Sequence, residues 1–220
     1  LVSTGMSNFN EVKTALGVIA FGLLKNGEKP SIRKFKQAFD SKNGKKILRE
    51  KVVILKCTSA YPAPYDQINL NSMKLFQKSF KLDVGFSDHS KGIIAPIIAA
   101  SLGANVIEKH FTLDKNMNGP DHKTSLEPAA FKKMITQLHL VRKILGSQEI
   151  EITKSAKENY FVATKSIVAK KSIKKGEDFT ESNITCKRPG DGLAPIKFWE
   201  LLEKQSDTNY DKDEQIKDQS

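Results

Sequence analysis

Arginine, cysteine and long apolar runs are scarce in this chain of 220 residues. Only four of its 36 basic residues are Arg (Arg33, Arg49, Arg142 and Arg188), although the formal net charge is +11. Base edges and planar phosphates are read best by the bidentate fork of Arg, whereas Lys is a hydrated point charge. The lysines are scattered, and clusters such as Lys45-Lys46 and Lys170-Lys171 are interrupted by acids. The charge therefore reads as a solvated surface that attracts anionic substrates, and no nucleic-acid partner is expected. The two cysteines, Cys57 and Cys186, lie far apart, with a spacing that supports neither a disulfide nor a metal pair. Free thiols and a cytoplasmic location are the expectation. No signal-peptide pattern occurs and no apolar run approaches bilayer length, so no membrane partner is expected either.

What is present is an alternation of strand-like and helix-like stretches over residues 1–150. Leu1–Thr4 reads as a strand end running into a turn. Asn8 and Glu11 form a capping box for a helix reaching towards Lys25. Strands are expected at Val52–Leu55, Leu82–Phe86 and Asn105–Lys109, and helices over Asn71–Phe80, Gly92–Leu102 and Glu127–Leu145, the last stopped at Gly146. In the Gly92–Leu102 helix Ile93, Ile94, Ile97 and Ile98 are spaced as a buried face. Asn26–Lys51 is rich in Lys, shows no apolar period and reads as an extended or partly helical insertion. Repeated strand–helix units imply a parallel α/β sheet with crossover helices, and four such units make half of a (β/α)8 barrel. Preceding sequence carrying the other half is expected. A polar stretch between Ser147 and Asn159 marks a domain boundary. Short β-like runs with turns then indicate a small β-rich domain over 160–216, with a charged, loosely held tail from Ser206.

The polar residues that could carry chemistry cluster just after the expected strands, where parallel α/β folds build their sites. His89 follows one strand and His110 ends the next. Neighbouring parallel strands are about 5 Å apart, so the two imidazoles can converge on one divalent ion and leave room for water and a substrate oxygen. Spacing alone leaves open that these are two unrelated histidines, and it favours that plainer reading. Glu108 shares a strand face with His110 and could orient a hydroxyl or support a metal ligand, or pair with Lys109 or Lys123 in solvent. Asp121 sits in the Gly119-Pro120-Asp121-His122-Lys123 turn, placed to accept hydrogen bonds from a polyol or simply to close the turn. The hydroxyls of Ser3, Thr4, Ser59 and Ser87 lie where an anion would dock near helix starts, each a weak signal alone. The rigid Tyr61-Pro62-Ala63-Pro64-Tyr65 loop could wall a pocket or merely pack. His139 reads as structural.

Taken in order, Ser3-Thr4-Gly5-Met6, the 57–65 string CTSAYPAPY, Gly85-Phe86-Ser87-Asp88-His89, the 106–113 string VIEKHFTL, Gly119-Pro120-Asp121-His122 and Arg188-Pro189-Gly190-Asp191-Gly192 resemble the sialic acid synthase family. The likeness runs from the fifth barrel strand through a C-terminal module similar to an antifreeze-like (SAF) domain. It implies a TIM barrel whose small domain covers the partner's barrel mouth in a domain-swapped homodimer. It also implies condensation of phosphoenolpyruvate with an N-acylated mannosamine-type sugar, with release of phosphate. A divalent ion, Mn2+ or Mg2+, is then implied at His89 and His110, activating the open-chain aldehyde, with Glu108 in the catalytic set. Ser3 and Ser87 are implied at phosphoenolpyruvate, Tyr61, Glu108 and Asp121 at the sugar, and Arg188 at the N-acyl group across the dimer.

Three departures bear on this expectation. Ser59 stands where the family has Asn, so its phosphoenolpyruvate contact is altered. The segment from Asn26 to Lys51 is longer than expected. The family's remaining phosphoenolpyruvate-binding Lys and acidic residues belong to strands one to four, so no turnover is expected from the 220 residues alone. Legionaminic or pseudaminic acid synthesis is the rival enzymatic reading, and a non-catalytic glycan-binding fragment the rival of another class.

Overall fold

The computed structural model describes residues 1–24 and 27–218. The chain divides into two compact units, Leu1–Ser147 and Gln148–Ser220. In the first unit four strands, β1 (Val2–Ser3), β2 (Val53–Cys57), β3 (Asp83–Asp88) and β4 (Val106–Lys109), form a parallel sheet in sequential order. Parallel neighbours need crossover connections. These are supplied by α1 (Phe9–Leu24), α2 (Ile32–Asp40) and α3 (Lys42–Lys51) before β2, α4 (Ser72–Phe80) before β3 and α5 (Ile94–Ser101) before β4. The helix α6 (Pro128–Leu145) follows β4 and ends at Gly146, whose φ is +57°. The α/β class expected from the alternation is the one observed.

Side chains alternate across each strand. Ile54, Val84, Phe86 and Ile107 face the helices and share a core with Leu16, Ala20, Met73, Phe76, Ala95 and Ala99. The residues between them, Leu55, Cys57, Gly85, Ser87 and Glu108, take the opposite face. Register places Ser87 beside both Cys57 and Glu108, so the polar ends of adjacent strands are level.

The start of α1 follows the sequence expectation closely. The Asn8 side chain accepts from the Glu11 amide at 3.1 Å, and the Glu11 carboxylate accepts from the Asn8 amide at 2.7 Å. Its expected end at Lys25 lies outside the described residues, as does Asn26. Asn8→Ala is expected to cost about 1 kcal/mol of stability, because an N-cap acceptor is lost from amides that water then has to satisfy. Urea unfolding followed by circular dichroism checks this.

Two expectations need correction here. The described part of the Asn26–Lys51 segment is helical, one of the two forms expected for it, but it is not without apolar period. It holds two amphipathic helices, with Ala38 and Leu48 buried. Ser41 joins them: its hydroxyl donates to the Ala38 carbonyl and accepts from the Gly44 amide, both at 2.9 Å. A Cβ at Gly44 would collide with the Ala38 carbonyl, so the close turn between α2 and α3 requires glycine. The period was masked by the lysines on the outer face. In α5 half of the expected buried isoleucine face is turned outward, with Ile94 52% and Ile98 44% exposed and Ile93 and Ile97 half-buried. Ala95, Pro96 and Ala99 are buried instead. Small side chains on this face let the helix approach the sheet closely, and that geometry overrides the pull of the larger apolar residues.

The second unit contains α7 (Lys154–Glu158), α8 (Tyr160–Ala163), an antiparallel pair of β5 (Ser166–Ala169) with β6 (Ile184–Lys187), and α9 (Phe198–Leu201). Ile167, Ile173, Phe179, Ile184, Tyr210 and Ile216 are central to its core. The tail from Ser206 was expected to be loosely held, and this is corrected. Tyr210 and Ile216 are buried, and the Ile216 amide donates to the Ile167 carbonyl at 2.9 Å. Two apolar anchors within a charged run are enough to tie it down.

Candidate functional site at the strand ends

The carboxyl ends of β2, β3 and β4 bring three rings together. The His89 and His110 imidazoles have centroids 5.2 Å apart and stand nearly perpendicular. The Tyr61 ring lies 4.3 Å from that of His110 and 5.4 Å from that of His89. The tyrosine reaches this position from the loop after β2, where its hydroxyl pairs with Ser125 Oγ at 3.1 Å. Ser125 in turn donates to the Asp121 carbonyl at 2.8 Å, so the 119–125 turn is fastened to the Tyr61 loop. The aromatic–proline loop therefore borders the histidines instead of packing elsewhere.

Each imidazole has an oriented Nδ1. That of His89 lies 2.8 Å from the Thr58 carbonyl oxygen, and a carbonyl can only accept, so Nδ1 carries the proton. The lone pair of neutral His89 is then on Nε2. Asp121 Oδ2 faces His110 Nδ1 at 3.7 Å, an electrostatic rather than a hydrogen-bonding distance. An outer nitrogen hydrogen-bonded to an oxygen, as in His89, is how metal-ligating histidines are generally positioned, whereas His110 has only a carboxylate nearby. Among the described residues no group of three or more His, Cys, Asp or Glu side chains surrounds one point. The imidazole pair could supply two donors to a divalent ion, with the other positions left to water and substrate.

Beside the rings, buried Ser87 donates to Glu108 Oε1 at 2.6 Å. Glu108 is therefore not paired with Lys109; the solvent pairing considered for it does not form there. Lys109 points to the other side of the sheet and meets Asp88 at 2.6 Å, with side chains only 2% and 0% exposed. Nothing in the sequence singled out this pair, although strand alternation places both residues on the helix side. Lys56 was also missed. Its ammonium donates to the Cys57 carbonyl at 2.7 Å and to Thr58 Oγ1 at 3.3 Å, and partial burial lowers its pKa from the usual lysine value.

The remaining expected residues are more dispersed. Thr4 serves the fold: its hydroxyl accepts from the Cys57 amide at 3.0 Å, stitching β1 to β2. Ser3 is exposed on β1, and exposed Ser59 sits against the Gly5 turn, its Oγ 3.6 Å from where a Gly5 Cβ would be. His122 is engaged locally, its Nδ1 2.8 Å from Thr112 Oγ1. His139 is exposed on α6. Arg188 belongs to the second unit, is exposed, and donates from Nε to the Ala163 carbonyl at 3.0 Å.

Parallel βα units with polar strand ends, followed by a small antiparallel module, are the architecture of NeuB-type synthases. The NeuB family profile matches residues 1–150 and the SAF domain profile residues 164–203, and the chain belongs to the NeuB family. It is 44% identical over 218 residues to the N,N'-diacetyllegionaminic acid synthase of Campylobacter jejuni, covering 99% of this chain and 58% of that protein. It is 34% identical over 173 residues to human N-acetylneuraminate-9-phosphate synthase, covering 78% of this chain and 48% of that one. Among solved structures, the N-acetylneuraminic acid synthetase of Leptospira borgpetersenii, in complex with citrate, aligns with a TM-score of 0.51 at 28% identity, covering 71% of this chain and 55% of its own. The chain spans about half the length of these relatives. Among the described residues no helix is long and apolar enough to cross a membrane.

Proposed function

We propose that these residues form part of a nonulosonic acid synthase, which condenses phosphoenolpyruvate with an N-acylated aminosugar and releases phosphate. The observation that carries the reading is the pair of His89 and His110 rings with Nδ1 of each turned to an oxygen, flanked by the Ser87–Glu108 hydrogen bond. A lectin has no need of this constellation. A divalent ion, Mn2+ or Mg2+, held by His89 and His110 would supply Lewis-acid polarisation of the open-chain aldehyde. C3 of phosphoenolpyruvate then forms the new bond to the aldehyde carbon, water adds at C2, and the resulting tetrahedral centre expels phosphate through C–O cleavage.

The chain's own residues orient these partners. Ser87 occupies one oxygen of Glu108, which leaves the other to accept a sugar hydroxyl. Tyr61 packs a wall against the histidines, Asp121 accepts from the sugar, Ser3 and Ser59 donate to the phosphoenolpyruvate anion, and Ser87, whose proton is held by Glu108, lines the phosphoenolpyruvate subsite. In a domain-swapped homodimer, Arg188 would reach the N-acyl group in the partner's barrel.

The likeness to the C. jejuni protein favours a diacetamido-trideoxy sugar as the aldehyde over an N-acylmannosamine. A chimera tests both points: residues 1–220 replace the matching segment of the C. jejuni synthase. With Mn2+, it is expected to release phosphate from phosphoenolpyruvate only when an acceptor sugar is present, and faster with the diacetamido sugar. Residues 1–220 alone are expected to give no turnover. Phosphate release that persists in His89→Ala/His110→Ala would sink the reading.

A further inference from the structure

We propose that the buried Asp88–Lys109 ion pair is a positioning device that aims both imidazoles, which rests on the reading of His89 and His110 as a metal pair. Each partner immediately precedes one of the histidines, and the two face each other in register across β3 and β4. The ion pair is 2.6 Å long, with its side chains 0% and 2% exposed, on the helix side of the sheet. Both of its ends also grip the turn that carries His89. Asp88 Oδ1 accepts from the Ser90 amide at 2.8 Å, and Lys109 Nζ donates to the Ser90 carbonyl. His89 is thus bracketed by Asp88 on one side and by a doubly anchored Ser90 on the other, and its ring meets the Thr58 carbonyl from a fixed backbone.

Stability does not account for such a pair. Removing two charges from water costs about as much as their attraction returns, and an apolar pair of similar volume is often as stable. What apolar side chains cannot supply is the directed anchoring of Ser90. Because successive strand residues point to opposite faces, fixing Asp88 against Lys109 fixes the positions from which His89 and His110 leave their strands.

The test compares wild type, Asp88→Asn/Lys109→Met, Asp88→Asn and His89→Ala/His110→Ala in the 220-residue chain. Two readouts are taken: 15N-imidazole spectra of the metal-free protein, and titration with Mn2+ alone followed by electron paramagnetic resonance. Wild-type His89 is expected as a single Nδ1–H tautomer. In the double variant this gives way to averaged tautomers, while the far-ultraviolet ellipticity is retained and Mn2+ affinity falls by about 10- to 100-fold. A folded double variant that keeps the single tautomer and wild-type affinity overturns the inference. If the double variant does not fold, unchanged His89 signals in the milder Asp88→Asn do the same. Wild-type protein that keeps the tautomer but binds Mn2+ no better than the His89→Ala/His110→Ala variant overturns the metal reading instead, and the two failures are distinct.

Discussion

Lys109→Met alone is expected to destabilise the Leu1–Ser147 unit by about 3–5 kcal/mol, the usual cost of leaving one member of a buried ion pair without its partner. Asp88 has no exposed side-chain surface, so water cannot reach its carboxylate once the ammonium is gone. The Ser90 carbonyl loses its Lys109 donor in the same step. In a unit of this size each kcal/mol moves the melting temperature by roughly 2–4 °C, which gives a drop of roughly 6–20 °C. Adding Asp88→Asn to the variant removes the stranded charge and is expected to restore most of the loss. The single and double variants are therefore predicted to diverge in urea or thermal unfolding. Coincident curves would mean that the pair is wet and contributes little, as exposed ion pairs do.

This asymmetry also explains why the pair was hidden in the sequence. Asp88 and Lys109 sit inside the strings that drew attention to His89 and His110, but a charged residue on a strand reads by default as facing solvent. Only register decides otherwise, and register is a property of two strands together. The same limit applied to Asn26–Lys51. The lysines obscured a helical period in which Phe35, Ala38 and Phe39 turn one way, and Ala38 and Leu48 end up in the core. In α5 the error ran in the opposite direction. Isoleucine spacing implies burial of that face, whereas the smaller Ala95 and Ala99 are the residues that pack into the core. Local signals that carry their own geometry were legible: the Asn8–Glu11 capping box and the Gly146 stop both stand where the residues indicated.

The candidate site divides along the same line. Period-two alternation and the order of the strands were enough to bring His89, His110, Ser87 and Glu108 to neighbouring strand ends. The partners that orient them come from loops: Thr58 for His89, and the Asp121 turn for His110. A backbone carbonyl leaves no mark in a sequence. In the sequence Tyr61 is part of a stiff loop, but its packing against His110 depends on Ser125 and Asp121, which lie sixty or more positions away along the chain.

That division between ligands and their supports sets the second large effect. His110→Ala in the chimera is expected to lower kcat by about a thousandfold or more, because polarisation of the aldehyde is worth several kcal/mol and each 1.36 kcal/mol is tenfold in rate. Asp121→Asn should cost much less, about 10- to 100-fold in Mn2+ affinity, since the carboxylate acts on His110 from 3.7 Å and does not replace it. Raising Mn2+ should therefore recover much of the Asp121→Asn activity at saturating sugar, and almost none of the His110→Ala activity. Asp121 is also expected to accept from the sugar, so its variant should retain a raised KM for the sugar after the metal requirement is met. Measuring kcat and KM against Mn2+ concentration separates the two contributions. Full recovery of both constants in Asp121→Asn would confine this carboxylate to orienting His110, and failure of Mn2+ to recover any activity would place it in the chemistry itself.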